Sequence, residues 1–357
     1  MSVRVADERR PAGKRLGAGK AMRWSGLTAA LCALLPLLAV AFMPAPRGQG
    51  VFFEAEEIPR MQVAHHSAGV VACDGKLYVW SGYSDIPNAR HRDRTPLMEI
   101  YDPQTGRWSR GADVPGKRNG AGAFELDGLI YSVGGEGEVS ATFTRSVYRY
   151  DPARDKWTTL NDFPTRAWDP LSVVCEGKAY VFGGRHGYGP TYPYVYAYDR
   201  ENDAWTRKAS MLTAVRKAGV VAWGGKIYVF GGVYQITENE VERVQRIQVY
   251  DPATDTWDLD GAMPYQISDL HAVAHEGRIV LFAEFMLDEE SGKWVPNRFV
   301  YVYDPKDKDW AQHAFSPPVK TAYGIDGCAI GGCVYFTDTF ENGAKSHAAY
   351  RVRLGAR

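Results

Sequence analysis

Lys226-Ile-Tyr-Val-Phe-Gly-Gly232, followed by Ile247-Gln-Val-Tyr-Asp-Pro-Ala-Thr-Asp-Thr-Trp257, is the stretch whose reading decides the fold. Gly224-Gly225 ahead of it suits the positive φ of a tight hairpin turn, so Lys226 to Phe230 reads as the second strand of a hairpin. Asp251-Pro252 suits the opening of a type I turn, so the strand ending at Tyr250 turns back into another beginning near Trp257. Two hairpins in succession give four strands. The second signal recurs as Asp102 to Trp108, Asp151 to Trp157 and Asp304 to Trp310, with a proline-less version from Asp199 to Trp205. The first recurs with glycines at 75, 128, 177, 225, 277 and 332, spaced by 53, 49, 48, 52 and 55 residues. Six four-stranded units with this period predict an all-β, six-bladed propeller rather than a sandwich.

Composition agrees. The 357 residues carry 42 Lys plus Arg against 42 Asp plus Glu, so no net field recruits nucleic acid. Aromatic residues at 13%, with 37 Gly and 20 Pro, favour short strands joined by tight turns. Five cysteines without a C-x-x-C motif argue against a disulfide scaffold or a zinc site. Cys328 and Cys333 flank the last hairpin glycines, where they either stay reduced or bridge in an oxidising compartment. No H-x-x-x-H pair, Gly-x-Ser-x-Gly elbow or phosphate-cradling loop occurs, so neither metal nor other cofactor is expected.

The first fifty residues read as an address. Residues 24–46 contain no charged side chain, and the basic stretch 1–23 before them holds Arg4, Arg9, Arg10, Lys14, Arg15, Lys20 and Arg23 against Asp7 and Glu8. That asymmetry predicts a cytoplasmic tail, a single transmembrane or signal helix, and an exported domain over 51–357. Pro44 and Pro46 disfavour cleavage, so the expectation is a membrane-anchored propeller on the periplasmic or extracellular side. The alternative is a secreted or periplasmic form after cleavage, or a shorter signal beginning at Met22.

The Gly-Gly pairs Gly134-Gly135, Gly183-Gly184 and Gly231-Gly232, each followed at fixed distance by a Tyr and a Trp, resemble the kelch-repeat family. The resemblance runs over roughly 51–357 and departs at Ser81-Gly82, Ala283-Glu284 and Thr337-Asp338. The glycines and aromatics read as packing elements. Each Trp is followed seven residues later by Pro115, Pro164, Pro264 or Pro317, or six later by Met211; Phe52 precedes Pro59 by the same seven. Phe52 is therefore placed at the Trp position of a fourth strand lacking its first three, and residues 51–55 should complete blade six, removing the open sheet edge.

Function in such a frame is expected on the face carrying the inter-blade connections and the loops between second and third strands. The candidate ligand-binding residues there are His66, Arg118, Asn119, Arg166, Asp169, Arg185, His186, Arg216, Lys217, Asp269, His271 and Tyr323. Arg118, Arg166 and Arg216 recur just after the blade-ending Pro or Met, either as an anion-gripping cluster or as staples between blades. The favoured function is a binding module for a protein or glycan partner. The alternative, on resemblance to exported six-bladed kelch sialic acid mutarotases, is a sugar isomerase with Glu136 as general acid/base and Arg118, Arg166, Arg185 or Arg216 holding the sugar carboxylate. A copper carbohydrate oxidase like seven-bladed galactose oxidase is a remote third reading.

Overall fold

The computed structural model describes residues 51–84, 94–139, 142–315, 326–337, 340–341, 344–345 and 347–356. The repeats fold as antiparallel sheets whose strands follow chain order. In blade three, Leu171–Cys175, Lys178–Phe182, Val195–Asp199 and Ala204–Lys208 pair in sequence. The equivalent first strands elsewhere are Gly69–Cys73, Gly122–Leu126, Gly219–Trp223, Ile267–His275 and Asp326–Ile330. Among the described residues this makes six blades, an all-β propeller.

The alternation of each strand explains the packing. Second strands are buried almost throughout, as in Lys178–Phe182 and Lys226–Phe230, because both sheet faces meet a neighbouring blade. Tyr180 and Phe182 of blade three pack with Ile227, Val229 and Tyr250 of blade four. Outer-strand tryptophans reach back to the preceding blade: the indole N–H of Trp157 donates to the Ala112 carbonyl, and that of Trp257 to Ala209, each at 2.9 Å. The glycine pairs keep this spacing. A Cβ on Gly183, whose φ is +67°, would lie 2.2 Å from the Val215 carbonyl oxygen of the next blade.

Blade six is completed by the other end of the chain. Val51–Ile58 pairs with Ala349–Ala356 over its whole length, in the order Asp326–Ile330, Cys333–Thr337, Ala349–Ala356, Val51–Ile58. The position of Phe52 is corrected. The ladder sets Ala55 opposite Val352, and Val352 opposite Val334, which is where blade one has Trp108, Tyr101 and Leu77. Ala55 thus holds the Trp position, three residues beyond Phe52. The counterpart of Pro115 is Gln62 rather than Pro59, so the spacing to Pro59 misled.

Two other departures are explained by register. Blade five lacks the glycine pair, and its second strand runs on from Arg278 to Asp288 and also pairs with Lys293–Pro296. Cys328 faces Tyr335 while Cys333 faces Ile330, so the two thiols are not cross-strand neighbours, and both are free. The expected membrane helix at 24–46 lies outside the described residues; among those described, no helix is long and apolar enough to cross a membrane.

Candidate functional site at the channel mouth

The first strands converge on a cavity of about 330 Å³. In blades one to five an equivalent position is held in a left-handed conformation, just before the first strand in four of them and within Ile267–His275 in blade five: Ser67, Gly120, Asp169, Lys217 and Asp269 have φ of 53°, 58°, 51°, 53° and 55°. Each stands two residues ahead of Gly69, Gly122, Leu171, Gly219 or His271, which in blades one to four is where the first strand begins to pair with the second; in blade five that pairing starts earlier, at Ile267. Left-handed backbone is unfavourable for the four non-glycine residues, and conformations of this kind concentrate where a fold presents groups for function. Backbone hydrogen bonds lock the ring from blade to blade, from Gly120 N to Ser67 O and Asp169 N to Gly120 O, both 2.9 Å, and from Leu270 N to Lys217 O at 3.1 Å.

The ring sets charged side chains at the mouth. Lys217 Nζ lies 2.7 Å from Asp269 Oδ1, and Arg216 lies 3.0 Å from Asp169 Oδ2 while also donating to Gln235 Oε1 at 3.0 Å. Burial disfavours the Asp269 carboxylate, but Lys217 and Ser268 more than offset this and hold its pKa below the ordinary value. Burial likewise opposes the charge on Lys217, and Asp269, Asp169 and Glu284 reverse the balance upwards. His66 and His271 also line the cavity. Burial pushes the His271 imidazole down to about 4, so it is neutral at physiological pH.

Two carboxyl groups in the cavity were not among the sequence candidates. Glu284, only 5% exposed, stands where blades two to four have the second glycine of the pair. The departure at Ala283-Glu284 was its visible signal. Asp326 opens the first strand of blade six, where three other blades have glycine. Its Oδ2 accepts the Ala68 amide at 3.0 Å, yet burial pushes its pKa up to about 7. A charged residue at a glycine position was the clue in that case.

Outside the cavity, the loops between second and third strands meet the inter-blade connections through isolated bridges: His66 with Tyr83, Asn119 with Glu136, Trp168 with Arg185, and Arg216 with Val233. Both sets of loops therefore occupy one face. Glu136 is buried and bound by Arg94 Nη2 at 2.6 Å and by the Tyr83 hydroxyl at 3.1 Å. Arg94 Nε also donates to Asn119 Oδ1 at 2.5 Å. Arg94 and Tyr83 thus tie blade one to blade two, and Glu136 is not among the cavity-lining residues.

The three repeated arginines have three different environments. Arg118, 2% exposed, gives Nη1 to the carbonyls of Gly134 and Ser146 at 3.0 and 3.2 Å and Nε to Gly116 at 3.1 Å, with its guanidinium 4.2 Å from the Tyr148 ring. Burial lowers its pKa to about 10. Arg166 is exposed, and its backbone carbonyl accepts the Tyr192 hydroxyl. Arg216 is committed to Asp169. The three do not converge on a shared anion. Arg185 is 7% exposed and stacks on Trp168 at 4.1 Å, with Tyr188 at 5.8 Å. His186 is exposed, and Tyr323 lies outside the described residues. Among the described residues no group of three or more His, Cys, Asp or Glu is arranged to hold a metal.

The Kelch motif model matches residues 64–115, 117–164, 169–212 and 216–264, together just over half of the chain. Kelch-like protein 25 of Xenopus tropicalis is 32% identical over 121 residues, which is 34% of this chain and 19% of that protein. Kelch domain-containing protein 3 of Rattus norvegicus is 30% identical over 148 residues, 40% of this chain and 35% of that protein. The chain thus spans about a fifth to a third of the length of these curated relatives. The solved structure of YjhT superimposes with a TM-score of 0.68 at 15% identity, covering 84% of this chain and 99% of that one. Four matched motifs, the glycine-pair contacts and the six closed blades lead to one conclusion: the chain belongs to the kelch-repeat family.

Proposed function

We propose that the chain is an exported, membrane-tethered kelch propeller that recognises a protein or glycan ligand through its channel mouth. The observation that carries this reading is the cavity itself, whose strained ring holds Asp169, Lys217 and Asp269 at a concave opening. Rigid strands with diverse loops supply recognition without requiring catalysis. The full-length protein in detergent should bind members of a glycan array or a defined partner panel, and the Lys217→Gln/Asp269→Asn variant should lose those signals. Equal binding by the variant would remove the channel mouth from the reading. Export is checked by protease accessibility of the propeller on intact cells, and tethering by its sedimentation with membranes.

A second reading, sugar-ring isomerisation, is favoured by one feature: Asp326, with a pKa near 7, and neutral His271 share the cavity. One group would take the proton of the anomeric hydroxyl while another protonates the ring oxygen as the C–O bond breaks. Reclosure on the other face reverses both transfers. Catalysed anomer exchange of N-acetylneuraminate, followed by NMR and abolished in Asp326→Asn, would establish this activity. An exchange rate equal to the buffer rate would dismiss it.

A further inference from the structure

We propose that Arg185 is the anchor of a subsite for a carboxylate monoanion on the blade-three side of the channel mouth. The inference rests on the reading of that face as the binding face and adds the chemistry of what binds.

Arg185 differs from the other buried arginines of this face. Arg94, Arg118 and Arg216 each give N–H groups to named acceptors, Arg216 through Nη1 and Nη2 while its Nε has no partner. The Arg185 side chain, 7% exposed, stacks on the rings of Trp168 and Tyr188; its Nε is buried without a hydrogen-bond partner, and among the described residues its Nη1 and Nη2 make no hydrogen bond or ion pair. A buried cation stacked on aromatic faces but without an acceptor is costly unless something else supplies one. Stacking does not satisfy the N–H groups, because it engages the face of the guanidinium while the donors point outward in its plane.

The local charge balance selects the anion. The titratable groups that act on Arg185 are Arg216, Asp169, Tyr188 and Glu136. Asp169 is neutralised by Arg216 at 3.0 Å, and Glu136 by Arg94 at 2.6 Å. Arg185 is left as the one uncompensated charge of this group, which matches a monoanion. A dianion would leave excess negative charge beside Asp169 and Glu136. A carboxylate presents two oxygens in the geometry of the guanidinium fork, and its carbon skeleton can lie along Trp168, Phe143 and Tyr188, whose rings stand 5.4 to 6.0 Å apart.

The test is thermal unfolding of the full-length protein at pH 7 and constant ionic strength, with chloride exchanged for acetate, for hydrocinnamate as an aromatic monocarboxylate, or for inorganic phosphate. Hydrocinnamate should raise the Tm by about 2 °C or more, acetate less and phosphate least. Arg185→Gln should lose the shift while unfolding, without ligand, no lower than the wild type, since it removes an unpaired buried charge. Arg185→Lys should keep part of it. A shift that persists in Arg185→Gln, a larger response to phosphate, or an Arg185→Gln protein markedly less stable than the wild type would overturn the proposal. If Arg185→Gln has no effect but Lys217→Gln/Asp269→Asn still abolishes ligand capture, the carboxylate subsite alone is wrong. If neither variant changes capture, the binding-face reading falls with it.

Discussion

The indole N–H of Trp108 donates a 2.5 Å hydrogen bond to the carbonyl of Pro59. Trp157 stands in the same relation to Ala112 and Trp257 to Ala209, each pair joining a blade to the one before it. Trp108 belongs to blade one, and Pro59 follows the outermost strand of blade six. The contact therefore ties blade one to the N-terminal strand that closes blade six by pairing with Ala349–Ala356, in the form used between consecutive blades, and makes one side of the seam of the ring.

Deleting residues 51–58 should open that seam. The strand pairs along all eight of its residues, Phe53 and Ala55 pack against the blade five–six cluster, and Ile58 is buried. A loss of at least about 3 kcal/mol in stability is expected from apolar burial alone, with association through the exposed edge of Ala349–Ala356. Calorimetry and size-exclusion chromatography would check both.

The arginines should separate by environment. Arg118→Met is expected to cost about 2 to 3 kcal/mol, because three carbonyls lose a buried donor. Arg166→Met, at an exposed side chain, should stay within about 0.5 kcal/mol. Arg216→Met should fall between them by leaving Asp169 unpaired. Denaturant unfolding of the three variants gives the order directly.

Acid should attack the fold partly through Glu99. This residue, 1% exposed, accepts the Gln62 and Val63 amides at 2.7 and 3.2 Å and contacts His65 Nε2 at 3.1 Å. Burial would raise its pKa, but these hydrogen bonds outweigh burial and lower it. A depressed folded pKa contributes stability that is present above the unfolded value of about 4.3 and disappears as pH falls through the folded value. Glu99→Gln should therefore flatten the loss of stability below about pH 4. Blade four already uses neutral Gln248 in this role, bonding the Thr213 amide and carbonyl. Urea midpoints from pH 3 to 7 would test it.

Asp326 should act in the opposite sense. Its folded pKa of about 7 lies above that of an unfolded aspartate, so its contribution is fully present below about pH 4 and is lost as pH rises through 7. Asp326→Asn should stabilise the protein at pH 8 by about 1 to 3 kcal/mol and change little at pH 4. A melting curve at each pH is sufficient, and equal effects at both would contradict the shift.

The propeller and its six repeats were legible in the chain because they rest on local physics. Asp-Gly and Gly-Gly turns, Asp-Pro turns and strand alternation need only neighbouring residues to specify hairpins, and their period fixes the number of blades. Closure was legible as well, since a strand without its hairpin at one end matches a blade lacking a strand at the other. Its register was not: the spacing from Phe52 to Pro59 imitated that from Trp108 to Pro115, and only the ladder with Ala349–Ala356 shows that Ala55 holds the Trp position.

The candidate site divides in the same way. The sequence by itself determined which loops share a face and which polar residues they carry. What those residues do was decided by tertiary contacts between blades remote in sequence. Arg118, Arg185 and Arg216 are all arginines of one face, yet the first is spent on carbonyls, the third on Asp169, and the second on aromatic rings. Glu284 and Asp326 became cavity groups because their repeats put a carboxyl where other blades have a glycine. Side-chain identity is written along the chain, whereas desolvation and pairing depend on what the folded ring brings within a few ångströms, and these fix charge state and availability.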